Sequence, residues 1–129
     1  MCPEVKITYR GWPGHFILGS RCVFHLNTLI EVGKVRVVVS TVGDLHYNPL
    51  TPKGAEMLGS CVSPHFYETM AFHAKFDDGY WDMDVKKGVG LNGKTTVTKI
   101  TRECDAEAQD MHEAAIQEII VRIRKGEIK

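Results

Sequence analysis

The chain has 129 residues, and its 16 Lys and Arg balance 16 Asp and Glu, so the formal net charge is zero. Hydrophobic residues make up 43% and charged residues 25%, which is typical of one globular domain with a single core. The balanced charge argues against long nucleic acid and anionic membrane as partners, since both favour a basic excess. No apolar run approaches the roughly 20 residues that cross a bilayer. We therefore predict a single domain over residues 1–129.

The cysteines and the first residues indicate a cytoplasmic protein. Residues 1–6 contain no basic segment followed by an apolar run, so we expect no secretory signal. Widely spaced cysteines in a reducing compartment are more often free thiols than disulfides. No Cys-x-x-Cys pair occurs among the four, which are Cys2, Cys22, Cys61 and Cys104.

The N-terminal part of the chain predicts antiparallel strands. Residues 5–10 alternate between apolar and polar side chains, and a short apolar run follows at residues 15–18. Residues 22–32 and 35–42 flank Gly33-Lys34, a two-residue loop typical of a type II′ hairpin turn. This turn fixes the register, which predicts the pairs Glu31–Arg36, Leu29–Val38, Asn27–Ser40 and His25–Val42.

Residues 43–65 interrupt the strand pattern with three glycines and three prolines. We expect a long surface excursion here, with a short helical turn that begins at Thr51 as N-cap and Pro52 as first helical residue. Long loops in compact domains often carry function.

A second hairpin is predicted over residues 66–85, around an Asp78-Gly79 turn of type I′. One face of this hairpin is apolar and includes Met70. The predicted pairs on that face are Phe76–Trp81, Ala74–Met83 and Phe72–Val85, and those on the other face are Lys75–Asp82 and His73–Asp84.

The C-terminal part predicts one last strand at residues 94–101 and then a helix at residues 105–125. The helix has acidic residues early, basic residues late and Gly126 as its stop, which suits the helix dipole and a glycine C-cap. Its apolar stripe contains Ala108, Met111, Ala115, Ile116, Ile119, Ile120 and Ile123. The fold class is therefore α+β: an antiparallel meander sheet with one long C-terminal α-helix packed on its apolar face.

Four residues are candidates for acid–base catalysis: His73, Asp84, Glu68 and His112. A cross-strand His73–Asp84 pair would orient the imidazole and raise its basicity, although the same pair is also common as a simple surface contact. Glu68 falls on the apolar side of its strand, where a carboxyl has a raised pKa unless it is paired. His15, His73 and His112 with nearby acids could form a metal set, but no metal-ligand spacing occurs, so we predict neither metal nor cofactor.

A second group of residues is predicted to bind a ligand. Aromatic residues near turns can stack on a ligand or simply pack at the edge of the core. The Ser-Thr exit of a strand can hold an anion, and basic residues of the N-terminal sheet suit a small phosphorylated ligand. The predicted ligand contacts are Arg10, Trp12, His15, Asn27, Ser40, Thr41, Tyr67 and His73.

Five segments give the chain a resemblance to a group of small, uncharacterised bacteriophage and prophage proteins: RGWPGHF at 10–16, NTLIE at 27–31, VVSTVG at 38–43, YETMAFHA at 67–74 and MHEA at 111–114. The resemblance implies an accessory protein that acts by binding, either by sequestering a small, nucleotide-like ligand or by inhibiting a host defence protein. It also implies the host cytoplasm as location. We expect a homo-oligomer with pockets at subunit edges. The alternatives are a metal-assisted or acid–base hydrolase and a structural component of the virion or its assembly.

Overall fold

The computed structural model describes residues 4–10, 22–45, 67–97 and 102–129. Six strands and one helix lie in these ranges: β1 (Val5–Tyr9), β2 (Cys22–Val32), β3 (Val35–Leu45), β4 (Tyr67–Asp77), β5 (Tyr80–Val89), β6 (Thr96–Val97) and α1 (Arg102–Arg124). The first five strands form an antiparallel meander in chain order, and β6 pairs with β4. The helix packs against β2, β3 and β4. The predicted α+β fold class is confirmed.

Several predicted segments fall outside the described residues. These are the strand at residues 15–18, the helical turn after Thr51 and most of the excursion at residues 43–65. Of the strand predicted at residues 94–101, the described part is a strand only at Thr96–Val97.

The β2–β3 hairpin has the predicted register. All four predicted pairs are confirmed, and they are Glu31–Arg36, Leu29–Val38, Asn27–Ser40 and His25–Val42. Gly33 has a φ of 61°, and Lys34 does not have a positive φ, as a type II′ turn requires. Because the turn fixes the register, the alternation of side chains along both strands is fixed with it.

The β4–β5 hairpin has the predicted turn. Asp78 and Gly79 both have positive φ, at 47° and 91°, as in a type I′ turn. The three predicted pairs nearest the turn are confirmed, and they are Phe76–Trp81, Lys75–Asp82 and Ala74–Met83.

Beyond Ala74 the register of this hairpin shifts, and two predictions are wrong. Phe72 pairs with Gly88 instead of Val85, because an irregularity places residues 84–87 opposite His73. Asp84 is therefore not the partner of His73. Its Oδ1 accepts the Lys86 N–H at 3.1 Å, a local bond of the kind that stabilises a turn in competition with the strand ladder.

The helix packs its apolar stripe on one side of the sheet, which we call the helix face. Ile116 and Ile119 are fully buried and pack with Ile30, Val37 and Val39 of the first hairpin. All seven residues of the predicted stripe are buried. The helix begins at Arg102, earlier than predicted.

The helix ends as predicted, in a Schellman motif at Gly126. This glycine has a φ of 79°, and its N–H donates to the Ile123 carbonyl at 3.0 Å, while the Glu127 N–H donates to the Arg122 carbonyl at 2.9 Å. Among the described residues, no helix is long and apolar enough to cross a membrane.

The opposite side of the sheet, the distal face, carries a second apolar cluster. The apolar side of the β4–β5 hairpin lies here, so the two hairpins bury apolar residues on both sides of the sheet and not only beneath α1. The members of this cluster are Leu29, Val38, Phe72, Ala74, Trp81 and Met83.

The sheet is strongly curved, and the distal face is concave. Arg10, directly after β1, donates from Nη1 to the carbonyl oxygen of Trp81 in β5. These strands are at opposite ends of the five-strand path. In a flat sheet they would lie about 19 Å apart, well beyond the reach of an arginine side chain. Because Arg10 spans them, the ends of the sheet bend towards each other.

The packing of α1 can be tested with two substitutions on the same helix. Ile119→Ala removes a fully buried side chain, and we expect the free energy of unfolding to fall by about 2–5 kcal/mol. Val121→Ala alters a side chain that is 46% exposed, and we expect a change within about 0.5 kcal/mol. Urea unfolding of both variants measures the difference. Equal losses would contradict the placement of the helix.

Candidate functional site

His112 lies on α1 and is fully buried against the helix face. Its Nε2 is 2.7 Å from Thr28 Oγ1, and its Nδ1 is 2.7 Å from Thr41 Oγ1. Thr41 Oγ1 lies in turn 2.7 Å from Thr69 Oγ1. Three neighbouring strands, β2, β3 and β4, therefore each place one threonine hydroxyl beneath the helix.

This network suits a neutral imidazole. A neutral imidazole has one N–H donor and one acceptor nitrogen, and a hydroxyl can take either role, so two hydroxyls satisfy both ring nitrogens. Burial lowers the pKa of His112 to about 4. His112 was predicted as a catalytic group and Thr41 as a ligand contact. Both side chains are fully buried, and the contacts they make connect the helix to the sheet.

Tyr67, another predicted ligand contact, also belongs to the helix face. It is fully buried, and its hydroxyl donates to the carboxylate of Asp105 near the start of α1. Burial raises the pKa of the Tyr67 hydroxyl, and Asp105 raises it further. This bond joins the first turns of the helix to the start of β4.

Arg10 projects across the distal face. Its Nε donates to Asn27 Oδ1 at 2.8 Å, and its Nη1 donates to the Trp81 carbonyl. Its Nη2 is buried and has no hydrogen-bond partner in the part of the chain that the structure describes. Burial lowers the pKa of the guanidinium, while Asp82 and Tyr80 act in the opposite direction. Since arginine stays protonated in proteins, this group is a partly buried cation whose Nη2 nitrogen has no partner among the described residues.

Two more predicted ligand contacts lie in the same row across the strands. The Arg10 N–H donates to the Asn27 carbonyl at 2.7 Å. Asn27 is the register partner of Ser40, and Ser40 is the partner of Met70. Asn27 and Ser40 are both buried. The structure thus places Arg10, Asn27 and Ser40 together on the distal face. The predicted ligand contacts Thr41 and Tyr67 lie on the helix face.

Trp81 lies beside two arginines, an arrangement that the sequence analysis missed. The guanidinium carbon of Arg36 is 4.2 Å from the Trp81 ring centroid, and Arg36 Nε donates to Glu31 Oε2 at 3.0 Å. Such stacking is a cation–π contact. The only signal in the sequence is the register, which puts Arg36 of β3 and Trp81 of β5 on the same face.

The four residues predicted for catalysis are not brought together. His112 lies between the helix and the sheet. Glu68 pairs with Val42, and strand alternation places its side chain on the distal face. Glu68 is half-buried, and burial raises the pKa of its carboxyl, as its place on an apolar side predicted. His73 follows the alternation of the helix face, and Asp84 lies in the irregular part of β5.

The remaining predictions concern Trp12, His15, the cysteines and a metal site. Trp12 and His15 lie outside the described residues, and Cys104 is in the thiol form and not in a disulfide. Within the described ranges, no group of three or more His, Cys, Asp or Glu side chains could hold a metal ion.

Comparison of the chain with protein-family models, with curated proteins and with solved structures finds no match.

The buried imidazole predicts a pH dependence of stability. The pKa of His112 is about 4 in the folded protein, below its ordinary value of about 6.5. Between these values the unfolded chain binds a proton that the folded chain does not. The free energy of unfolding therefore falls by about 3 kcal/mol as pH decreases through this window, and the contribution is fully present above it.

Urea unfolding between pH 7 and pH 4 measures this dependence, with His112→Gln as the comparison. Glutamine cannot titrate, and it retains one donor and one acceptor for the threonine hydroxyls. We expect the free energy of unfolding of the variant to fall less steeply with decreasing pH. The difference in slope corresponds to the uptake of about one proton at most. Parallel pH profiles for the two proteins would contradict a neutral, buried His112.

Proposed function

We propose that the chain is a phage-type accessory protein that acts by binding and holds a small anionic, nucleotide-like ligand at the distal face. The observation that carries this proposal is the guanidinium of Arg10, which is charged and has a buried nitrogen, Nη2, without a partner among the residues that the structure describes. Leaving such a donor unpaired costs about 1–3 kcal/mol, and more for a charged group. An anionic ligand oxygen would remove this cost through a charge-assisted hydrogen bond.

The surroundings of Arg10 favour an anion over a neutral group. Two of its nitrogens are fixed by Asn27 and Trp81, so the third is held in place before any ligand arrives. Asp82 is close enough to affect the pKa of Arg10, but its Oδ1 accepts the Met83 N–H at 2.8 Å. Within the described residues no carboxylate forms an ion pair with Arg10. An arginine fork of this kind suits phosphate or carboxylate oxygens.

Binding is favoured over hydrolysis because the candidate catalytic groups are separated. A general base needs an acidic or polar partner that orients it within hydrogen-bond reach of the substrate. His112 has such partners but is fully buried beneath the helix. His73 and Asp84 are not register partners, and they form no ion pair within the described residues. The hydrolase alternative therefore has no pair of candidate groups to start from in the described ranges.

A second candidate, a host defence protein or another copy of the chain as partner, rests on the tip of the β4–β5 hairpin. Phe76 is 63% exposed and Tyr80 is 48% exposed, and both lie beside the turn. Clusters of exposed apolar side chains often mark protein interfaces. Light scattering of the parent protein and of a Phe76→Ser variant tests the expected homo-oligomer. If copies of the chain meet at the hairpin tip, we expect the variant to have a smaller mass than the parent protein.

The ligand proposal is tested by calorimetric titration with pyrophosphate, AMP, ADP and uncharged adenosine. We expect at least one of the phosphorylated compounds to bind and adenosine to bind more weakly. Arg10→Gln should weaken binding by at least about tenfold, since one charge-assisted bond is worth about 1.5–3 kcal/mol. Arg10→Lys should be intermediate, because lysine keeps the charge but loses the fork.

The control is Arg124→Gln, which removes one positive charge from an exposed position near the end of α1. It should leave the dissociation constants unchanged. Equal affinity of Arg10→Gln and the parent protein for every probe, with the fold of the variant verified by its amide NMR spectrum, would overturn the proposal.

A further inference from the structure

Two arginines contact Trp81, and each uses a different part of that residue. Arg10 Nη1 donates to the Trp81 carbonyl oxygen, and the guanidinium carbon of Arg36 lies 4.2 Å from the Trp81 ring centroid. Arg10 directly follows β1, whereas Arg36 lies at the start of β3. Trp81 therefore brings together two cationic groups from separate parts of the sheet.

The indole ring of Trp81 is a firm support for Arg36. The Phe76 ring packs edge-on against it, with ring centroids 5.3 Å apart and planes at 71°, and the indole also packs against the distal cluster. On the other side of the chain, Arg36 Nε donates to Glu31 Oε2 at 3.0 Å. A stack and a hydrogen bond thus hold this guanidinium in one orientation, so little conformational freedom is lost when a ligand binds.

Arg36 keeps donors for a ligand. A guanidinium has five N–H donors, and the bond to Glu31 uses the one on Nε. The Nη1 and Nη2 groups of Arg36 have no acceptor in the part of the chain that the structure describes. The side chain is 29% exposed, which leaves it open to a ligand on the same residue that fixes Arg10.

The spacing of the two arginines suits two linked phosphates. Bond lengths place the carbonyl oxygen and the ring of one tryptophan about 6 Å apart at most, so the two guanidinium carbons lie on the order of 10 Å apart. Charge-assisted hydrogen bonds at both ends then leave roughly 5 Å between the two acceptor oxygens. The oxygens of a single phosphate are closer together than this, whereas those at the two ends of a diphosphate are not.

We propose that Arg36 is a second anion contact beside Arg10 and that the ligand carries two linked phosphates, as a nucleoside diphosphate does. One phosphate accepts from Arg10 Nη2 and the other from the Nη groups of Arg36. The proposal rests on the function proposed above and adds to it the class of ligand and a second binding residue. Glu31 competes with the ligand for the charge of Arg36.

Calorimetric titration with AMP and ADP tests the second contact. ADP should bind the parent protein at least about tenfold more tightly than AMP, because only ADP reaches both arginines. Arg36→Gln should weaken ADP binding by about tenfold or more and AMP binding by less than about threefold, so the preference for ADP is lost. Arg36→Lys should be intermediate, since lysine keeps the charge but not the planar donor group.

Two more variants separate direct contact from a general effect of charge. Glu31→Gln removes the competing carboxylate and should tighten ADP binding, and the gain should vanish when it is combined with Arg36→Gln. Lys6→Gln is the control, because Lys6 is exposed and is the register partner of Glu31. It removes one positive charge from the same row of the sheet, and we expect it to change ADP binding by less than about twofold.

The outcomes distinguish this proposal from the one on which it rests. Loss of ADP binding in Arg10→Gln but not in Arg36→Gln would leave the anion site at Arg10 standing and overturn the second contact. ADP that fails to bind the parent protein, or binds both variants unchanged, would overturn both proposals. Equal losses of AMP and ADP in Arg36→Gln, or equal effects of Arg36→Gln and Lys6→Gln, would contradict a ligand with two linked phosphates. The amide NMR spectrum of each variant verifies its fold.

Discussion

The packing of the α1 isoleucines against the three central strands is the interaction on which the rest of the structure depends. Ile116 and Ile119 are fully buried there, and the burial of each such side chain contributes about 1.5–3 kcal/mol. The same contact brings His112 over the threonine hydroxyls. It also brings Glu118 and Arg122 to the chain segment that follows β5. The helix therefore organises the helix face and holds the chain segment that follows β5.

The buried polar groups on the two faces of the sheet differ in their hydrogen bonding. On the helix face His112 finds neutral hydroxyl partners and Tyr67 finds Asp105, which matches the rule that buried polar groups are hydrogen-bonded. On the distal face Arg10 has a buried donor without a partner among the described residues. The helix also has one such atom, Arg122 Nε, but the Arg122 side chain already pairs with Glu118 at 2.9 Å. Arg10 forms no ion pair within the described residues, and under our proposal an anionic ligand would complete its hydrogen bonding.

The sequence predicts the fold well wherever local chemistry decides it. The Gly33 and Asp78-Gly79 turns fix the hairpin registers, the 3.6-residue period places the isoleucines, and Gly126 ends the helix. It predicts the site less well, because periodicity does not show curvature or bulges. The register shift beyond Ala74 coincides with a local bond from the Lys86 N–H to the Asp84 side chain. The contact of Arg10 with Trp81 depends on the bending of the whole sheet, which no short segment encodes.

The central claim is that the distal face binds an anion through Arg10. Its most direct test is the guanidinium NMR spectrum of Arg10, assigned with the help of Arg10→Lys, during titration with pyrophosphate. We expect the Arg10 Nε and Nη signals to shift with saturation and proton exchange at Nη to slow, because a ligand oxygen then accepts from Nη2. Arg10 signals that stay unchanged at saturating pyrophosphate, while other arginine signals move, would contradict it.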